Sequence, residues 1–247
     1  MSTLLKTCWP LVLVVTVACG GSSSPTAPAP TLTKMTVAGS DLLVIGQSET
    51  FTAQGNTGAL VTTASWGTDA PTVVTVEASS GRVTAVGAGT ATIVADLGGI
   101  RGTKTIRTVP DFTGHWLGWF EETGCQATGD WAGLRSCPNS EYDFAISQIK
   151  LRLTQDRDTV SGTFSLGGGR PETALASGRA SSDGTLTFTG TAGDSVVNAE
   201  LQNVRFEAPR KGEMMTGTFE LLYSSSTSSR SGTLRVFAKL RTMQGPQ

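Results

Sequence analysis

A single histidine, His115, and scattered carboxylates are all that this chain of 247 residues offers to acid–base or nucleophilic chemistry. One histidine rules out a two-histidine metal site, and a Ser-His-Asp triad would have to be built on His115 alone. It neighbours Trp116 near the start of an alternating run, where a surface or structural role accounts for it. Glu121-Glu122, Asp156, Asp158 and Asp194 fall at strand ends or in turns. A glycosidase needs two facing carboxylates about 5–9 Å apart, one of them with a raised pKa. Glu121 and Asp143 flank the same stretch and could be near each other, but solvated strand ends explain them better. Asp156-x-Asp158 lacks the further oxygen ligands of a calcium loop, and no Gly-rich phosphate loop leads into a helix. The expectation is a protein that is not an enzyme and holds no metal and no cofactor. A glycoside hydrolase working from Glu121 and Asp143 is a remote alternative.

Binding chemistry has better candidates. Trp119, Phe120, Trp131 and Tyr142 gather in sequence around Cys125 and Cys137, with Arg135 between the cysteines. Aromatic rings beside Gln126, Arg135 and Asn139 suit stacking on a sugar or covering an apolar ligand. The alternative is that Trp131 packs under its own loop. Cys125 and Cys137 form a disulfide if the compartment is oxidising, and otherwise stay free thiols. A bond closing a loop of about thirteen residues contributes roughly 3 kcal/mol through chain entropy, which would justify it with no ligand present.

These residues must be positioned by strands. Eight alternating runs follow Pro110, at about 112–122, 143–155, 158–166, 173–181, 185–191, 196–208, 213–223 and 231–241. Val160, Gly162, Phe164 and Leu166 share one face of their strand. So do Met215, Gly217, Phe219, Leu221 and Tyr223, and likewise Leu234, Val236, Ala238 and Leu240. Period slips near Ser147-Gln148 and Gln202-Asn203 predict bulges, and Gly162, Gly178, Gly190 and Gly217 suit the bends of a closing barrel. Eight antiparallel strands in succession remove their edges by closing into an up-and-down barrel. The tight even connections predict a closed end, shared with the preceding domain and the C-terminus. The longer odd ones predict an open end facing away from the membrane. The opening Gly114-His-Trp116 resembles the Gly-x-Trp entrance of the calycin folds, the lipocalins and avidins. The closing run through Arg241 is similar to an avidin's last strand. That resemblance implies that Gly114, Trp116 and Arg241 close the barrel, with Arg241 covering Trp116. Biotin binding does not carry over, because avidins use tryptophans from later strands and Trp131 is the last one here.

Residues 32–109 read differently, as about seven short strands separated by turns such as Ser80-Gly81 and Gly87-Ala-Gly89, the pattern of a β-sandwich. Trp66, Pro71-Thr-Val-Val-Thr-Val76, Gly81-Arg-Val-Thr-Ala85 and Gly89-Thr-Ala-Thr-Ile93 make this region similar to the group 2 bacterial immunoglobulin-like domains. That family implies a non-catalytic spacer or adhesive module, with Trp66 in its core. The fold expected overall is all-β: an immunoglobulin-like sandwich, then an eight-stranded antiparallel up-and-down barrel at 110–242.

Ahead of both lies Val14-Val-Thr-Val-Ala-Cys19-Gly20, which resembles the lipobox of bacterial lipoproteins. The resemblance implies removal of residues 1–18 and acylation of Cys19, although Thr16 stands where leucine is usual. Lys6 supplies the positive charge of a leader, and the apolar run of about ten residues is too short to span a bilayer, which takes roughly twenty. Residues 19–31, rich in Ser and Pro, form a tether. The charge balance, 19 Lys and Arg against 20 Asp and Glu, provides no basic patch for phosphates, so no nucleic-acid partner is expected. Together these readings point to a lipid-anchored envelope protein, at the outer membrane or cell surface. Its immunoglobulin-like stalk would present a barrel that binds a glycan, a small apolar ligand or an envelope protein. The alternative is a structural or adhesive protein whose barrel is filled by Phe164, Phe188, Phe206 and Phe219.

Overall fold

Alternation with frequent glycine turns yields strands and almost no helix in the computed structural model, which describes residues 31–133, 146–167, 174–193, 197–207, 214–225 and 231–244. The leader, Cys19, Arg135, Cys137, Tyr142, Asp143 and Asp194 lie outside the described residues.

The first part is sandwich-like. It comprises β1 (Met35–Ala38), β2 (Leu42–Val44), β3 (Ser48–Thr50), β4 (Thr52–Gly55), β5 (Ser65–Thr68), β6 (Val74–Val76), β7 (Arg82–Ala85), β8 (Gly89–Leu97) and β9 (Ile100–Val109). One sheet runs β2-β9-β8-β5, another β3-β7-β6, and β1 pairs with β4. The β8–β9 hairpin turns on Gly98-Gly99, both at positive φ (61° and 86°), as a two-residue turn requires. Leu43, Phe51, Val74, Val83, Ile93 and Ile106 form the core. Trp66 packs against it, and a Cβ on Gly81 would sit 2.6 Å from the indole, so glycine there makes room for the ring. Trp66 is a packing tryptophan.

The second part is a closed barrel of β10 (Gly114–Ala127), β11 (Ile146–Asp156), β12 (Thr159–Leu166), β13 (Ala174–Ala180), β14 (Thr185–Gly193), β15 (Val197–Glu207), β16 (Thr216–Ser225) and β17 (Thr233–Gln244). Each strand is antiparallel to the next, and β17 returns to β10. Phe164, Phe219, Leu221 and the alternate residues of β17 from Leu234 to Leu240 are buried, on the faces that alternation assigns them. A register shift between Gln202 and Arg205, with Asn203 at φ 48°, is the expected bulge. No bulge interrupts Ser147-Gln148: these residues pair in continuous register with Phe120 and Trp119. The irregularity lies on the other side of β10, where its pairing with β17 shifts between Trp119 and Phe120 and again between Glu122 and Gly124. The second shift lets β10 run on past Glu122 to Ala127. At Gly162 a Cβ would collide with the Arg152 carbonyl of the neighbouring strand, so the close approach there needs glycine.

Sandwich and barrel are not independent. Successive side chains of β2 point to opposite faces: Leu43 enters the sandwich core, while Leu42 and Val44 join the barrel's apolar cluster. Val109 and Phe112 join the same cluster, and Phe112, between the two parts, is 0% exposed. Polar groups fix the junction. The Gln155 side chain accepts from Phe112 N at 2.8 Å and donates to the carbonyls of Pro110 (2.9 Å) and Arg157 (2.8 Å). The boundary at residue 110 is a change of sheet inside one continuous body.

Candidate functional site at the barrel ends and wall

The barrel interior is packed by phenylalanine. Phe120 meets Phe219 edge to face at 5.1 Å between centroids, Phe219 meets Phe206 at 6.0 Å, and Phe206 meets Phe188 at 5.4 Å. Such T-shaped pairs set the positive edge of one ring against the negative face of the next, adding to the area they bury. Ile149, Leu151, Val160 and Phe164 complete the lining.

Each end has its own plug. At the start of β10, Phe112 is buried, and its carbonyl accepts the indole N–H of Trp116 at 2.8 Å. At the far end, a 3-10 turn, Gly129–Gly133, carries Trp131 into the barrel cluster, where it is 7% exposed. The turn is pinned to the approach to β17. Asp130 accepts from the Ser231 amide (2.7 Å) and hydroxyl (3.0 Å), and Thr128 N donates to the Thr233 carbonyl at 2.9 Å. Trp131 thus takes the packing role that its sequence position left open.

Of the aromatic residues expected to gather at a mouth, the three described ones do not share one face of the wall. Trp119 and Phe120 are neighbours in a strand and so face opposite ways: Phe120 is buried inside, and Trp119 lies on the outer wall, 48% exposed. Trp131 is in the interior, and Tyr142 and Arg135 lie outside the described residues. Of the expected closure residues, Gly114 takes φ 131° and Trp116 is buried, whereas Arg241 does not cover Trp116. It falls between the buried Leu240 and the next strand pair, at the register shift, and is exposed. There it forms an ion pair with Glu121 across the β10–β17 seam, so it supports closure from outside.

Of the residues weighed for acid–base chemistry, Asp143 and Asp194 lie outside the described residues. Glu121 is engaged by Arg241, and His115 is exposed opposite Arg152. Among the described residues, no group of three or more His, Cys, Asp or Glu is placed to hold a metal. The carboxyls held away from their ordinary value, Asp41, Asp69, Asp96 and Asp183, are all lowered, the opposite of what a general acid requires. For Asp183 the first cause is the Thr185 hydroxyl, which donates to it at 2.6 Å, followed by the Thr185 amide at 3.0 Å. Because the folded value is lowered, its contribution is complete above the ordinary value of 3.8 and is lost as pH falls through the folded one. Asp183→Asn should therefore give a shallower acid limb in a plot of unfolding free energy against pH, read from urea titrations.

Two residues went unnoticed in the sequence. Phe112 was read only as the first residue of a strand, and Leu117, 49% exposed on the outer wall beside Trp119, as one more apolar strand residue. Counting alternation outward from the buried Trp116 would have placed Leu117 outside. No family model matches the chain, and no curated protein matches it.

Proposed function

We propose that the protein is a non-catalytic lipoprotein of the bacterial cell envelope, in which sandwich and barrel form one stiff body that meets its partners through its surface. The observation that carries this reading is the filled barrel: interlocked phenylalanines inside, Phe112 at one end and Trp131 at the other. An interior packed this way suits a scaffold better than a carrier of a small ligand. The ion pair that holds Glu121 to Arg241 supports a non-catalytic role.

In this reading Cys19 is acylated and anchors the chain, residues 19–31 are the tether, and the sandwich is a module of the bacterial immunoglobulin-like kind. The lipobox-like run and the motifs from Trp66 to Ile93 support these points. Cys125 pairs with Cys137; the oxidised state of the Cys125 sulfur and an exported setting support that pairing.

Native mass spectrometry of the form beginning after Cys19, purified from its own envelope, tests the function. The expected spectrum is the mass of the chain alone. A small molecule co-purifying at stoichiometric amount would overturn the filled-scaffold reading. The address is tested separately: Cys19→Ser, or globomycin treatment, is expected to block processing and release the protein from the membrane. Unchanged processing and membrane association would refute the anchor.

A further inference from the structure

The outer wall of the barrel is uneven in both charge and hydrophobicity. On β10, Leu117 and Trp119 stand two residues apart on the outward face, each about half exposed. Among the described residues the other exposed large apolar ones, Leu60, Val86 and Met214, lie outside the barrel strands. Across the β10–β11 ladder, Leu117 is paired with Lys150, Trp119 with Gln148 and His115 with Arg152. On the other side of β10, β17 carries Lys239, opposite Glu121, and Arg241, both exposed.

Carboxylates are scarce on this side. Between Ile146 and Gln155 β11 has none, and neither β12 nor β17 has any. Those of β10 are Glu121, which Arg241 holds, and Glu122; the next, Asp156, stands at the turn into β12. Glu200 and Glu207 stand on β15, with Arg205 beside Glu207, and Glu220 of β16 is paired with Arg235 of β17, so the cationic side is a local excess in a chain of net charge −1.

We propose that this ridge, Leu117 and Trp119 with Lys150 and Arg152 beside them, rests on an anionic bilayer surface. The shape favours this partner. A closed barrel is convex, so a flat surface touches it along a strand or two, and among the described barrel side chains the exposed large apolar ones, Leu117 and Trp119, form such a stripe. A leucine and a tryptophan ring flanked by cations match the interfacial region, where apolar tips sit at the acyl boundary and Lys and Arg meet anionic headgroups. Leu117 argues against a sugar platform, which needs a bare ring bordered by hydrogen-bonding groups. Among the described residues no helix is long and apolar enough to cross a membrane, and the contact proposed is peripheral.

The inference goes beyond the anchored-scaffold reading and does not stand or fall with it. The Cys19 experiment reads the anchor; an unacylated chain on vesicles reads the wall. The full chain after Cys19, without lipid, is to be co-sedimented with vesicles of phosphatidylcholine, with and without phosphatidylglycerol. Binding is expected only with phosphatidylglycerol and should weaken as salt rises. Leu117→Ser/Trp119→Ser, and separately Lys150→Gln/Arg152→Gln, should each lower it about tenfold or more. Near-ultraviolet circular dichroism checks that both variants keep the fold. Failure of the native chain to bind, equal binding to neutral vesicles, or variants that bind like the native chain would overturn the proposal. So would dimerisation through Leu117 and Trp119 with no vesicle binding, which would assign the ridge to a second copy of the chain.

Discussion

Phe112→Ala should destabilise the whole chain by about 3–5 kcal/mol, the range for removing a fully buried phenylalanine ring. The ring lies in the cluster that Leu42, Val44 and Val109 of the sandwich share with the barrel, so its loss opens a void facing both parts. In a urea titration of the chain from residue 20, tryptophan fluorescence and far-ultraviolet circular dichroism should shift together to one lower midpoint. The slope should not change, because the surface exposed on unfolding is nearly the same. Fluorescence can be assigned to each part, since Trp66 packs in the sandwich and Trp116 in the barrel. A variant whose barrel signal moves while the Trp66 signal stays in place would show that the two parts unfold independently.

Phe206→Ala should cost about 3–5 kcal/mol as well, with something more from its two edge-to-face contacts, to Phe188 and Phe219. It should also convert a filled interior into one with a benzene-sized apolar void, and such voids bind small apolar molecules. Benzene is therefore expected to raise the melting temperature of Phe206→Ala and to leave that of the native chain unchanged. A native chain stabilised to the same extent would mean that its interior is already open. Trp119→Ala is the matched control. Its ring faces solvent, so the loss should stay within about 0.5 kcal/mol although more atoms are removed.

Much of the barrel was legible because its strands are covered by water on one side and by the core on the other. Under that constraint side-chain period and face coincide, and the runs ending in Leu166, Tyr223 and Leu240 point where they must. The same rule separates Trp119 from Phe120. Grouping them by nearness in sequence set aside the period of two, and that is why the expected mouth dissolves. Arg241 was misplaced because the calycin resemblance was followed over parity: the alternation of Leu234, Val236, Ala238 and Leu240 already turns Arg241 outward.

The junction was hidden for a different reason. Leu42 and Val44 alternate with Leu43, and alternation states that a strand has two faces without saying what covers the outer one. In a lone sandwich those two leucine and valine side chains would be exposed. Here the barrel covers them, through contacts far apart in sequence. Gln155 was equally silent, a polar strand residue like many others until its amide is seen holding Pro110, Phe112 and Arg157. Trp131 was half legible, since packing under its own loop was one of its two readings, while the plug it makes depends on Asp130 meeting Ser231.

That residues of the sandwich share the barrel's core cluster, so that both parts unfold together, is tested most directly by differential scanning calorimetry of the chain from residue 20. A shared core predicts a single endotherm whose calorimetric and van't Hoff enthalpies agree, as for one cooperative unit. It further predicts that residues 110–247 expressed alone melt well below the intact chain. Two resolved transitions, or an isolated barrel that melts where the intact chain does, would contradict it.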